Sequence, residues 1–173
     1  MAKLPIIIVP DPVLKQVAQP VQSINPLIRQ LANDMAETMY AAPGIGLAAN
    51  QVNSLHRLFV IDVAFRENSD SRAAITMINP DIVWESEEMS VWEEGCLSIP
   101  GQFAEVKRPK SVRVRYLDLT GQWQERLVDG LESHCVQHEL DHLNGVLFID
   151  HISSLKRNMI LRRLKKSQNN VEL

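Results

Sequence analysis

Cysteine is scarce in this chain, with Cys96 and Cys135 the only two in 173 residues. They could close one disulfide at most, and a chain long enough to bury one substantial core has little need of it, so both are expected as thiols. Long apolar runs are missing as well. The early run Leu4 to Val9 is stopped by Pro10 and Asp11, far short of a bilayer span or a signal-peptide core, so a cytosolic protein is expected and a membrane is not. Neither sign of charge dominates. Eighteen Lys and Arg face twenty-one Asp and Glu, a formal net charge of −3, which argues against a surface built to coat a polyanion; nucleic acid is not the expected substrate. No repeat, linker or low-complexity segment divides the sequence. Residues 1–173 are therefore expected to form a single domain in which motifs from distant positions share one core.

Asn25-Pro26 has the form of an N-cap followed by proline at the first helical position. Ile28, Leu31, Met35 and Met39 then recur at helical spacing, predicting a helix that ends before Pro43-Gly44. Leu58 to Val63 reads as a buried strand, and Ala74 to Trp84 as an extended segment broken by Pro80. An acidic stretch follows from Glu85 to Glu94, interrupted by Val91 and Trp92. Val112, Val114 and Tyr116 alternate with Arg113 and Arg115, and Thr120-Gly121 turns the chain into Gln122 to Leu127, which predicts a hairpin. Asp129-Gly130 opens a second helix and Asn144-Gly145 closes it. A last helix from about Ser153 carries Leu155, Met159, Ile160 and Leu164 on its apolar side. Short strands and three helices without βαβ alternation imply an α+β fold of mostly antiparallel strands around a central helix.

That central helix carries Gln137-His138-Glu139-Leu140-Asp141-His142. His138 and His142 are separated by ~40° around the helix and ~6 Å along it, so both imidazoles can address one ion. Glu139 completes H-E-x-x-H, in which two histidines hold a metal and the glutamate moves the protons of the water that the metal activates. Taken alone, the pattern also arises by chance on surface helices. An open catalytic site draws a third ligand from the protein. His134 and Cys135 lie upstream on the same helix, but ~10–12 Å along the axis from His142, too far to share its ion. The third ligand must come from elsewhere. Cys96 is the best candidate, since Gly95 and Pro100 suggest a chain bend that presents the thiolate; the alternative is a small buried hydrophobe. A thiolate beside two imidazoles suits Fe(II), Zn(II), Co(II) or Ni(II) rather than Mg(II) or Ca(II).

Gly44-Ile45-Gly46-Leu47-Ala48-Ala49 fits G-x-G-x-x-A, with Asp62 placed where a ribose-binding carboxylate would follow. The dinucleotide fingerprint needs a strand before its glycines, however, and here a helix precedes them. Small residues instead allow another backbone to approach, and Gln51 just beyond can offer its amide to a developing oxyanion; together they describe a peptide groove.

Three segments together resemble the peptide deformylase family: Gly44 to Gln51, Glu94-Gly95-Cys96-Leu97-Ser98, and Gln137 to His142. They occur in that family's order and approximate spacing, and the likeness spans nearly the whole chain. The resemblance implies hydrolysis of the N-formyl group from formyl-methionine at the start of new polypeptides, releasing formate. It also implies Cys96, His138 and His142 as ligands of Fe(II), Glu139 as general base and then general acid, and Gln51 with the Leu97 backbone N–H as oxyanion donors. The Ile45-Gly46 backbone would pair with the peptide as an added strand. Trp92, Glu94, Leu131, His134 and Cys135 would surround its side-chain pocket.

The match has departures. Where relatives often carry arginine in Ile-Pro-x-x-Arg, this chain has Ile99-Pro100-Gly101-Gln102-Phe103, and His134 stands where an aliphatic residue is common. Lys156, Arg157, Arg162, Arg163, Lys165 and Lys166 make the last helix basic. A solvated face is the simple account, and the resemblance adds contact with the ribosome near its exit tunnel. Two other readings compete: a general zinc peptidase, which would take its third ligand downstream where only Asp150 and His151 follow, and a peptide-binding module that keeps the metal structurally.

Overall fold

The computed structural model describes residues 2–171 of the chain. Helix α1 (Pro26–Ala41) starts as its sequence dictates, the Asn25 side chain accepting the Ile28 N–H at 3.0 Å, and stops before Pro43. Strands β1 (Gly46–Ala48), β2 (Leu58–Ile61), β3 (Ile75–Glu85), β6 (Ser111–Leu117) and β7 (Trp123–Asp129) form one antiparallel sheet in the order β1-β2-β3-β6-β7. A separate hairpin joins β4 (Met89–Cys96) to β5 (Ile99–Pro109). Helices α2 (Gly130–Leu143) and α3 (Ser154–Val171) complete the α+β fold. No helix among the described residues is long and apolar enough to cross a membrane.

The apolar run of β2 is explained by helices on both faces. Phe59 and Ile61 pack with Met77, Val112 and Val114 and with Val136 and Leu143 of α2, while Leu58 and Val60 meet Ile28, Met35 and Met39 of α1. Alternate strand residues point to opposite faces, so a strand covered twice loses the polar alternation that β6 retains. Each large side chain removed from water in this way contributes roughly 1.5–3 kcal/mol. A third apolar cluster sits under the hairpin, where Ile160 and Leu164 of α3 meet Ile99, Val106 and Phe148.

Two local expectations change. Pro80 does not break β3: the register slips between Ile78 and Asp81, with Asn79 at φ 50° and its side-chain amide bonded to both backbone groups of Val21. A bulge accommodates a residue that cannot donate to the ladder. The acidic stretch ends in a strand, β4, whose partner β5 has no clear apolar alternation; both are stabilised by what lies beneath them rather than by local pattern.

Candidate active site

Cys96 Sγ, His138 and His142 place one ligand atom each within 4.8 Å of one another. The Sγ lies 3.3 Å from His142 Nε2, which matches the roughly 3.3–3.8 Å between ligands of a tetrahedral ion with bonds of about 2.0–2.3 Å. His134 and Cys135 stay outside this cluster, as the helical rise requires. Cys96 ends β4 at the tight turn into β5, so the hairpin brings a thiol from forty-odd residues away to the face of α2.

The two histidines are prepared differently. Burial alone would push both down, but the nearby Cys96 and the hydrogen bond to Glu94 hold His138 above its ordinary value, whereas burial and the neighbouring His138 charge keep His142 well below its own. His138 Nδ1 lies 2.9 Å from Glu94 Oε1, so the ring donates there and leaves Nε2 for a metal, as carboxylates behind metal-binding histidines commonly arrange. The donor set, its spacing and the carboxylate behind His138 fit a divalent transition metal. Glu94 is itself buried. Burial would raise it, but His134, His138 and a bidentate Arg108 outweigh that and hold it well below the usual carboxylate range. Arg108 reaches on to Asp141 at 2.8 Å, and Asp141 also meets His151 at 2.8 Å.

Glu139 faces the same cleft. Burial pushes its carboxyl up to about 7 against the opposing pull of His138, and Oε2 is buried with no hydrogen-bond partner. Buried polar atoms are ordinarily paired, so this oxygen is held for a molecule that enters. Gln51 is locked by Ala48 N–H to its Oε1 at 3.0 Å, and its Nε2 points to Ser98 Oγ at 3.1 Å and Cys96 Sγ at 3.5 Å. Leu97 lies in the turn between β4 and β5, its side chain against Gly44.

The cleft holds about 900 Å³ and is lined by the first glycine loop, the β4–β5 turn and α2, within the range of sites for sizeable ligands. Ile45 and Gly46 line it at the start of β1, which is the edge of the sheet and pairs only with β2. A Cβ on Gly46 would stand 2.6 Å from Glu139 Oε1 and 3.1 Å from Cys135 Sγ. That close approach is the physical reason for glycine, and it answers the dinucleotide pattern: the loop runs into an edge strand, not from a strand into a helix. Trp92, Leu131, His134 and Cys135 line one wall. The Cys135 thiol, pushed up by burial, donates weakly to Ile45 O at 3.6 Å. Both Glu94 oxygens are engaged by Arg108 and the two histidines, so its share in this wall is indirect.

Arg108, Asp141 and Ser90 escaped the sequence reading. Arg108 stands in Lys107-Arg108-Pro109-Lys110, which has the look of a solvated basic run. The signal was its place two residues after Val106 on one face of a strand, visible only once β5 is known.

The family profile described as polypeptide deformylase matches residues 3–158. A peptide deformylase of Mesorhizobium japonicum is 55% identical over 162 residues, 94% of this chain and 91% of its own. One from Rhodopseudomonas palustris is 53% identical over 167 residues, 96% of this chain and 95% of its own. Among solved structures, a peptide deformylase from Legionella pneumophila superposes with a TM-score of 0.92 at 41% identity, covering 99% of this chain and 98% of that one. Another from Ehrlichia chaffeensis, bound to actinonin, superposes at 0.89 with 38% identity over 96% and 98% of the two chains.

Proposed function

The chain belongs to the polypeptide deformylase family, and from that premise we propose how its own residues remove the N-formyl group from the formyl-methionine of new polypeptides as a metal-dependent hydrolase. The observation that carries the reading is the meeting of Cys96, His138 and His142 beside the unpartnered Glu139 carboxylate, at the edge of an open strand.

Cys96, His138 and His142 would hold the ion, which we take to be Fe(II), with Zn(II), Ni(II) or Co(II) as substitutes suited to the same donors. When bound, it supplies Lewis acidity to the water and to the formyl carbonyl. Glu139 takes a proton from the attacking water and returns it to the departing α-amine; a carboxyl raised by burial is suited to both duties near neutral pH. The Gln51 amide and the Leu97 N–H donate to the oxygen that gains charge as the formyl carbon becomes tetrahedral, an interaction strongest in the transition state. The peptide backbone pairs with Ile45 and Gly46 along the free edge of β1, and the methionine side chain enters between Trp92, Leu131, His134 and Cys135. Phe103, packed over Gly95 at the cleft rim, offers later residues an apolar surface instead of a cation. The basic face of α3 supports the reading of contact with the ribosome, and we take the site of action to be the bacterial cytoplasm, where new chains are made.

The test is to purify the protein without oxygen, count its metal, and offer formyl-Met-Ala-Ser beside the acetylated and unblocked peptides. Formate released from the first alone is expected. Cleavage at an internal peptide bond would point instead to a peptidase, and inertness of the metal-loaded protein to a binding module.

A further inference from the structure

His134 is buried, at 1% exposure, and takes no part in the chemistry above. Both its ring nitrogens are nevertheless engaged. Nδ1 lies 3.0 Å from Glu94 Oε2 and Nε2 lies 2.9 Å from Ser90 Oγ. An ionised carboxylate only accepts, so Nδ1 carries the hydrogen, and the serine hydroxyl can meet Nε2 in either role.

Ser90, Trp92 and Glu94 alternate along β4 and so project from one face of it, and a register shift after Gly95 sets Cys96 at the turn into β5. On α2, His134, His138 and His142 recur every four residues on one helical face. Two strand residues advance about 6.6 Å and four helical residues about 6 Å, so the two repeats stay nearly in step. From Glu94 to Cys96 the contacts keep that step, while His134 spans the longer reach from Ser90 to Glu94. Ser90 meets His134, Glu94 spans His134 and His138, and Cys96 meets His142 at 3.3 Å. The match matters because β4 belongs to a two-stranded hairpin outside the main sheet. Two of the three metal ligands sit on α2 and the third on that hairpin, so the ligand spacing depends on how the hairpin is seated against the helix. Arg108 holds Glu94 from β5 and ties the hairpin to α2 through Asp141 at 2.8 Å, nearer the helix C-terminus than His134, which leaves His134 and Ser90 to tie β4 at the other end.

We propose that His134 is a positioning residue for the metal centre: its two hydrogen bonds to Ser90 and Glu94 set the register of β4 on α2, and so the distance at which Cys96 meets His138 and His142. The proposal rests on Cys96, His138 and His142 being the metal ligands. It treats His134 as a rung of the ladder rather than as a reader of the methionine side chain, although the ring also lines the cleft.

The test uses the full chain carrying His134→Leu, His134→Asn or Ser90→Ala, stripped of metal. Zinc affinity is measured by chelator competition, and Co(II) is added to read the thiolate-to-cobalt charge-transfer band, which reports the Cys96 bond directly. His134→Leu is expected to weaken zinc binding about 10-fold, at the lower end of what outer partners of metal ligands supply, and to shift and weaken the band. Ser90→Ala should weaken it roughly 2- to 5-fold, the loss of one hydrogen bond. Asparagine can still donate to Glu94, so His134→Asn should recover most of the affinity; should the leucine variant fail to fold, this variant and Ser90→Ala carry the test. Unchanged affinity and band in the folded variants, with only the preference for formyl-methionine over formyl-norleucine altered, would overturn the proposal and leave His134 as pocket wall. A wild-type protein that binds Co(II) without a thiolate band would overturn the ligand assignment along with it.

Discussion

Helices α2 and α3 are built from opposite materials. Helix α2 buries Ser133, His134, Gln137, His138, Glu139 and His142, whereas α3 buries Ile160 and Leu164 and turns its lysines and arginines outward. An ordinary surface helix follows the second arrangement, because apolar burial is favourable and unpaired polar burial is costly. Helix α2 is stable only because its buried groups are paired: Gln137 donates to Pro109 O and to Ser133 Oγ, His138 and His134 face Glu94, and Glu94 is held by Arg108. The exceptions are Glu139 Oε2 and His142 Nδ1. A polar face that is buried and partnered except at Glu139 and His142 sets α2 apart; α3 leaves its polar face in water.

Substitutions should separate the two by their effect on turnover. Glu139→Gln keeps the shape of the side chain and removes the proton carrier, so kcat should fall by about 10²–10⁴-fold with metal content unchanged, measured by formate release and metal analysis on the same sample. Gly46→Ala puts a methyl 2.6 Å from Glu139 Oε1; a displacement approaching 1 Å should reduce kcat by about 10²-fold, and full activity would show that the cleft can give way. Glu94→Gln should weaken metal binding by about 10- to 100-fold, read by chelator competition. It also has a pH signature. Because Glu94 is held below its ordinary value when folded, its stabilisation is complete above the unfolded value of about 4.3 and is lost as pH falls toward the folded one. The gap in unfolding free energy between wild type and Glu94→Gln should therefore be widest near neutrality and narrow below about pH 4.

On α3 the order reverses. Ile160→Ala should cost about 2–4 kcal/mol of stability by denaturant titration and leave kcat as it was. Reversing Arg162 and Lys166 together should move stability by less than about 0.5 kcal/mol, and only ribosome co-sedimentation would reveal a role. Turnover falling with Ile160→Ala in folded protein would undo the contrast between the helices.

Elements with a strong local signature were legible from the residues. Asn25-Pro26, the alternation of Val112, Val114 and Tyr116, and Asn144-Gly145 each impose a backbone preference over a few positions, and α1, the β6–β7 hairpin and the end of α2 fall where expected. The hairpin that brings Cys96 did not announce itself, because β4 and β5 present charged and small residues, and their inward face is decided by Arg108 and Glu94 meeting each other. Pro80 misled for a similar reason, since its bulge is secured by Asn79 bonding to Val21, far away in sequence.

By itself the sequence determined that His138, Glu139 and His142 share a face, because helical geometry converts a spacing of one and four residues into proximity whatever surrounds it. It also excluded His134 and Cys135 from any ion shared with His142. Only the tertiary structure brought Cys96 beside the two histidines, buried Arg108 rather than leaving it solvated, and set Glu94 across two histidines. Those depend on how a separate hairpin seats on a helix, and pairing between distant segments is settled by which groups satisfy one another in the core, not by any period within either segment.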